Sequence, residues 1–174
     1  IRASGSGTTI GGAGTNRNVI SGNNGHVVDL PGGGPVTIVN NLIGLAADGV
    51  SGSAAATGNS GDGISVANIV FSAFVGGAGA GNRIAFNGGT GVNNGAPFPC
   101  TNMLVTQNEI FSTAMLGIDR NNTLPLPVQT VGPITYTATN STIPFSGSGF
   151  FANQSVTVEF FSNDDPLLGI DEGQ

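Results

Sequence analysis

Apolar residues in the first two-thirds of the chain come in short clusters that alternate with polar ones, and the clusters recur. An Asn-x-Ile triplet appears four times, at Asn18-Val19-Ile20, Asn41-Leu42-Ile43, Asn82-Arg83-Ile84 and Asn108-Glu109-Ile110, with spacings of 23, 41 and 26 residues. In three cases a second cluster follows, its apolar residue eight positions after the Ile: His26-Val27-Val28-Asp29, Thr90-Gly91-Val92-Asn93 and Leu116-Gly117-Ile118-Asp119. In the fourth, Asp62-Gly63-Ile64-Ser65 comes 21 residues after Ile43, beyond a Gly/Ala/Ser insert, ADGVSGSAAATGNSG. A third cluster precedes each Asn: Thr8-Thr9-Ile10, Val36-Thr37-Ile38, Phe74-Val75-Gly76 and Met103-Leu104-Val105. The clusters are rich in Ile and Val with period-two alternation, which is strand chemistry. No window sustains the 3, 4, 7 spacing of a helix.

Three strands and three turns per unit predict one coil of a right-handed parallel β-helix, with coils stacked about 4.8 Å apart. Gly and Asn between the clusters suit tight turns, because both tolerate positive φ. The expected core stacks are Ile10, Ile20, Val28, Ile38, Ile43, Ile64, Ile84, Val92, Val105, Ile110 and Ile118. Asn18, Asn41, Asn82 and Asn108 are expected to form a ladder, each side-chain amide donating to the next.

Composition sharpens this reading. Of 174 residues 30 are Gly, about 17% against a usual ~7%, and only 8% are charged. Apolar residues still make up 39%, so the Gly-rich stretches belong to a fold rather than to a disordered linker. Few charges leave a poorly solvated surface of the kind that assembly covers. The net charge is −6, with four Arg, no Lys and no basic run, which argues against nucleic acid as a partner. No segment has the unbroken apolar length of a membrane helix. The start, IRASGSG, has neither an initiator Met nor a signal peptide, and a mature or excised product is expected. The single cysteine, Cys100, reads as a small buried residue.

The runs IGGAGTNRNVISGNNGHVVDL (10–30) and VGGAGAGNRIAFNGGTGVNN (75–94) resemble coils of the right-handed parallel β-helix repeats in bacterial secreted and cell-surface proteins, the pectate-lyase-like superfamily. The resemblance covers about residues 8–120. It implies the fold but not one activity, since lyases, hydrolases, adhesins and structural proteins share it. Val27 stands where that pattern has Gly.

The expected fold class is therefore all-β: a short right-handed parallel β-helix of about four coils over 1–120, with a C-terminal antiparallel β-strand appendage. Residues 121–133, with three Pro, read as a linker or cap. Residues 134–174 carry strand-like runs at 134–139, 141–146 and 155–162, resembling the opening of an Ig-like module. Three strands do not close a sandwich. Either they lie along the β-helix, or they pair with a neighbouring subunit through Val156, Val158, Phe160 and Phe161.

Candidate chemistry is sparse. The only His is His26, and the ten acids are scattered. A His26–Asp62 pair is conceivable, although both read more simply as solvent-facing turn residues. Arg17 and Arg83 are expected at equivalent outward positions. No cofactor is expected. Calcium is the one cation the chain could hold, through Asp48-Gly49 and Asp62-Gly63 around the insert. Thr8, Thr9, Thr37, Thr90 and Thr106 do not repeat at one coil position, so no ice-binding array is expected. Asn121, Asn140 and Asn153 open glycosylation sequons in form.

These readings point to a non-enzymatic extracellular structural protein. Its subunits would join head to tail, through coil ends and C-terminal strands, into a fibre or surface assembly. The partner would be the protein itself. A cell-surface adhesion or glycan-binding module is the alternative, and a polysaccharide lyase or hydrolase a lesser one.

Overall fold

The computed structural model describes residues 1–66, 72–95, 100 and 102–119, together with the backbone of four short strands between 129 and 147. Over the first stretch the chain winds through four coils. The first contains β1 (Thr8–Gly11), β2 (Val19–Ile20) and β3 (Val28–Leu30). The second contains β4 (Val36–Val39), β5 (Leu42–Ile43) and β6 (Ile64–Val66). The third contains β7 (Ala73–Val75), β8 (Arg83–Ala85) and β9 (Val92–Asn94). The fourth contains β10 (Met103–Val105), β11 (Glu109–Phe111) and β12 (Ile118–Asp119). Like strands pair in parallel into three four-stranded sheets, ordered β1-β4-β7-β10, β2-β5-β8-β11 and β3-β6-β9-β12. This is a short parallel β-helix, all-β, and no helix occurs among the described residues.

The register builds one inward stack per sheet. Ile10, Ile38, Val75 and Val105 align in the first, Ile20, Ile43, Ile84 and Ile110 in the second, Val28, Ile64, Val92 and Ile118 in the third. The stack members in the first three coils are buried. Val105, Ile110 and Ile118 are only half-buried, packing on the core from one side, because no further coil lies on them among the described residues. One cluster sits one residue earlier than its sequence suggests: β7 aligns Ala73, not Phe74, with Val36, and turns Phe74 outward. The first and third sheets also bury a second row that the periodicity passed over. It includes Val36 and Ala73 in one sheet and Leu30 and Val66 in the other. Asn94 continues that row and is satisfied inside: its amide donates to Cys100 O at 3.0 Å and accepts from Cys100 N at 2.7 Å. Cys100 is buried. Val27 fills the core where the other coils carry Gly.

The Gly/Ala/Ser insert is ordered against the outer face of the second sheet. Leu42 points outward by register, yet it is buried with Leu45 and Ala85, and half-buried Phe86 and Phe111 complete this second apolar cluster. Thr57 Oγ1 donates to Gly44 O at 2.7 Å, Gly22 N donates to Thr57 O at 2.8 Å, and an Arg83 Nη1 bonds Gly49 O. The fold needs glycine at position 44. Its φ is +79°, and a Cβ there would run into Ala85 O.

Among the C-terminal residues, β13 (Gln129–Val131) pairs antiparallel with β16 (Phe145–Gly147), and β14 (Thr135–Tyr136) with β15 (Ser141–Thr142). Part of the Pro-rich stretch is thus a strand, since Gln129-Thr130-Val131 carries no Pro and two β-branched residues. Val156, Val158, Phe160 and Phe161 lie outside the described residues.

Candidate functional site

Every turn from the first sheet to the second ends on the Asn of Asn-x-Ile. Asn18 Nδ2 donates to Asn41 Oδ1 at 2.8 Å, Asn41 Nδ2 to Asn82 Oδ1 at 2.9 Å, and Asn82 Nδ2 to Asn108 Oδ1 at 2.9 Å. Asn41, Asn82 and Asn108 are buried and Asn18 is exposed. The interior oxygens do double duty. Asn82 Oδ1 also accepts from Asn41 N at 3.0 Å, and Asn108 Oδ1 from Asn82 N at 3.0 Å.

A second ladder, not anticipated from sequence, closes the next turn. Asn23 Nδ2 donates to Asn59 Oδ1 at 3.0 Å and Asn59 Nδ2 to Asn87 Oδ1 at 2.8 Å. Its signal was present: Asn23 and Asn87 each follow the inward Ile by three residues, and the insert displaces Asn59 from that spacing. The fourth coil has Thr113 at this position. Thr113 Oγ1 donates to Met115 O, and Asn87 Nδ2 is left buried without a partner.

The first coil has an edge. Ile1–Ala3 pair with β3 as the corresponding strand of a preceding coil would, with Arg2 opposite Asp29. Asp29 N donates to Ile1 O at 2.9 Å, Ala3 N donates to Asp29 O at 3.0 Å, and Ile1 N donates to Val27 O at 2.6 Å. Among the described residues, β1 and β2 are paired on one side only. Between them and Ile1–Ala3 lies a depression of about 760 Å³, lined by Thr9, Ile10, Arg17 and Asn18 among others. Arg17 is not equivalent to Arg83: the register sets Arg83 opposite Leu42, whose partner in the first coil is Val19. Arg83 instead bonds Glu109 Oε1 at 2.5 Å and lies 5.5 Å from the centre of the Phe111 ring.

His26, Asp62, Thr90 and Leu116 share one coil position, two residues before the inward stack. His26 Nδ1 lies 3.1 Å from Asp62 Oδ2. Asp62 is buried, contrary to a solvent-facing reading, and is well supplied with donors. Thr90 N reaches Oδ1 and Asn93 Nδ2 reaches Oδ2, both at 2.8 Å. A carboxylate so engaged is a bolt across three coils. The Asp62 side chain is 9% exposed, against 53% for that of His26. Asp48 is separate from it. The Ser51 hydroxyl, with the N–H groups of Val50 and Ser51, caps its carboxylate and holds its pKa below the usual range. Among the described residues no three His, Cys, Asp or Glu side chains gather as metal ligands.

Family models, curated proteins and solved structures were all compared with the chain. None matches. The site therefore stands on its own geometry: two amide ladders, a coil edge whose β1 and β2 are paired on one side only among the described residues, and a buried carboxylate bridging coils. Among the described residues no helix is long and apolar enough to cross a membrane.

Proposed function

We propose that this is a non-enzymatic structural protein of the cell exterior, whose β-helices join end to end into a fibre or surface assembly. The observation that carries this reading is the edge of the first coil. Ile1–Ala3 occupy the slot of a preceding coil on one sheet, while among the described residues β1 and β2 are paired on one side only in the other two. An unpaired strand edge is a template for a further strand. The exposed oxygen of Asn18 marks the acceptor end of the ladder, so an incoming coil with Asn at this turn would extend it. Contacts of this head-to-tail kind that do not close into a ring give filaments. The C-terminal strands are the proposed second joint, by strand addition. Low charge suits such packing.

Sedimentation velocity with electron microscopy tests the proposal. Concentration-dependent filaments whose repeat matches one subunit are expected. A single monodisperse monomer at high concentration overturns it.

A second reading, adhesion or glycan binding by a β-helix of the pectate-lyase-like type, draws on one feature. Thr9, Thr37, Phe74 and Leu104 align along the outer face of the first sheet, with Phe74 and Leu104 exposed. Saturable binding to a glycan array, lost in Phe74→Ala, would favour it over self-assembly.

A further inference from the structure

Three Asn-Gly pairs occur in the chain, at Asn24-Gly25, Asn87-Gly88 and Asn94-Gly95. With no Cβ on the second residue, the glycine nitrogen can approach the preceding carboxamide closely. The three pairs sit in different chemistry. Asn87 and Asn94 are buried, and their amides are held in the fold. Asn87 Oδ1 accepts from Asn59, and Asn94 is paired at both ends with the Cys100 backbone. The nitrogens of Gly88 and Gly95 both donate to backbone carbonyls, Asn59 O and Val66 O, each at 2.7 Å. A carbonyl oxygen can hold that proton but has none to pass on.

Asn24 is exposed, and a hydroxyl stands between its two reacting groups. Gly25 N donates to Ser60 Oγ at 2.7 Å, which leaves the Ser60 hydrogen free to donate to Asn24 Oδ1 at 2.8 Å. The stacking of coils brings this about, because Ser60 N and Gly61 N bond Asn23 O and Gly25 O.

We infer that Asn24-Gly25 is a self-modifying site, with Ser60 as its proton relay. The Gly25 nitrogen attacks Asn24 Cγ. Its proton passes to Ser60 Oγ as the Ser60 proton passes to Asn24 Oδ1. The new C–N bond gives a neutral tetrahedral intermediate, which expels ammonia and leaves a cyclic succinimide. Water opens the ring at either carbonyl, leaving aspartate or isoaspartate at position 24. The sum is asparagine plus water to a carboxylic acid plus ammonia, with no oxidant or reductant. The product carries a new negative charge beside the His26–Asp62 turn. In the isoaspartate form the main chain also gains a methylene where the coil is hydrogen-bonded, which weakens that turn.

The test is timed peptide mapping by mass spectrometry on the folded protein, with isoaspartate detected by enzymatic methylation. Conversion is expected at Asn24 but not at Asn87 or Asn94. Ser60→Ala should slow it about a hundredfold or more, the lower end of what a positioned acid–base group contributes, and Ser60→Thr should restore it. In denaturant the serine effect should vanish and all three pairs should convert. The inference is overturned if native Asn24 stays intact while the denatured chain converts. It is equally overturned if folded Ser60→Ala, checked by circular dichroism, converts as fast as or faster than the parent.

Discussion

Asn82 and Asn18 make the same ladder contact in different surroundings, and the surroundings set what each contributes. Asn82 is buried, and its loss leaves Asn41 N unpartnered out of water, while Asn41 Nδ2 keeps Ile10 O and Val39 O and Asn108 Oδ1 keeps Asn82 N. With one buried group orphaned, Asn82→Ala should cost about 1–3 kcal/mol. Asn18 is exposed, water replaces its contact, and Asn18→Ala should cost under about 1 kcal/mol. Urea midpoints at constant slope measure both. The reverse experiment uses the orphan already present. Thr113→Asn places an acceptor opposite Asn87 Nδ2 and should stabilise by about 1 kcal/mol. In the core, Ile84→Ala should cost about 2–5 kcal/mol, and half-buried Ile110→Ala distinctly less. Asp48 titrates with a sign fixed by its depressed pKa. Its contribution to the turn is complete above the unfolded carboxylate value and is lost as pH falls through the lower folded value. The Ser51 amide resonance, followed by NMR, should therefore keep its bonded position to below the ordinary carboxylate range.

At the scale of elements, the Asn-x-Ile triplets were legible because an inward Ile and a turn Asn recur at fixed offsets. So was the cluster His26-Val27-Val28-Asp29, which aligns residue for residue with Asp62-Gly63-Ile64-Ser65. The insert was not legible as structure. It has turn composition, and what orders it is the side chains of Leu42 in its own coil and Phe86 in the next. Phe86 has φ +56°, a strained value for an aromatic residue, and its ring stands edge-on to Phe111 at 5.9 Å. Removing the ring takes away the support of the insert but not of the three inward stacks. Phe86→Ala should therefore open residues 46–60 to limited proteolysis while the far-ultraviolet spectrum stays that of the parent. Cleavage no faster than in the parent would show that the Ser53–Thr57 turn and the Thr57–Gly44 bond hold the insert alone.

For the whole molecule, the proposed end-to-end joint consists of backbone edges and apolar cross-section, with few charges to bridge it. The Arg2–Asp29 pair at that end has an Arg side chain 74% exposed and contributes little. Salt at about 1 M, which screens surface charges within about 3 Å, should leave filament length unchanged. Moderate urea should shorten the filaments before the coils unfold. Dissolution by salt alone would instead place an ionic contact at the joint.

The sequence by itself determined the all-β class, the coil period, one amide ladder and the inward Ile and Val stacks apart from Val75. All of these follow from local repetition, and a stacked fold turns local repetition directly into contact. The tertiary structure decided what depends on contacts between coils at unequal spacing. It buried Asp62 under Thr90 and Asn93, folded the insert over Leu42, and carried the second ladder through Asn59. It also set Ser60 between the nitrogen of Gly25 and the carboxamide of Asn24. The 41-residue unit breaks the period, so no rule of spacing along the chain predicts these pairings. Only the lateral hydrogen bonds between coils fix them.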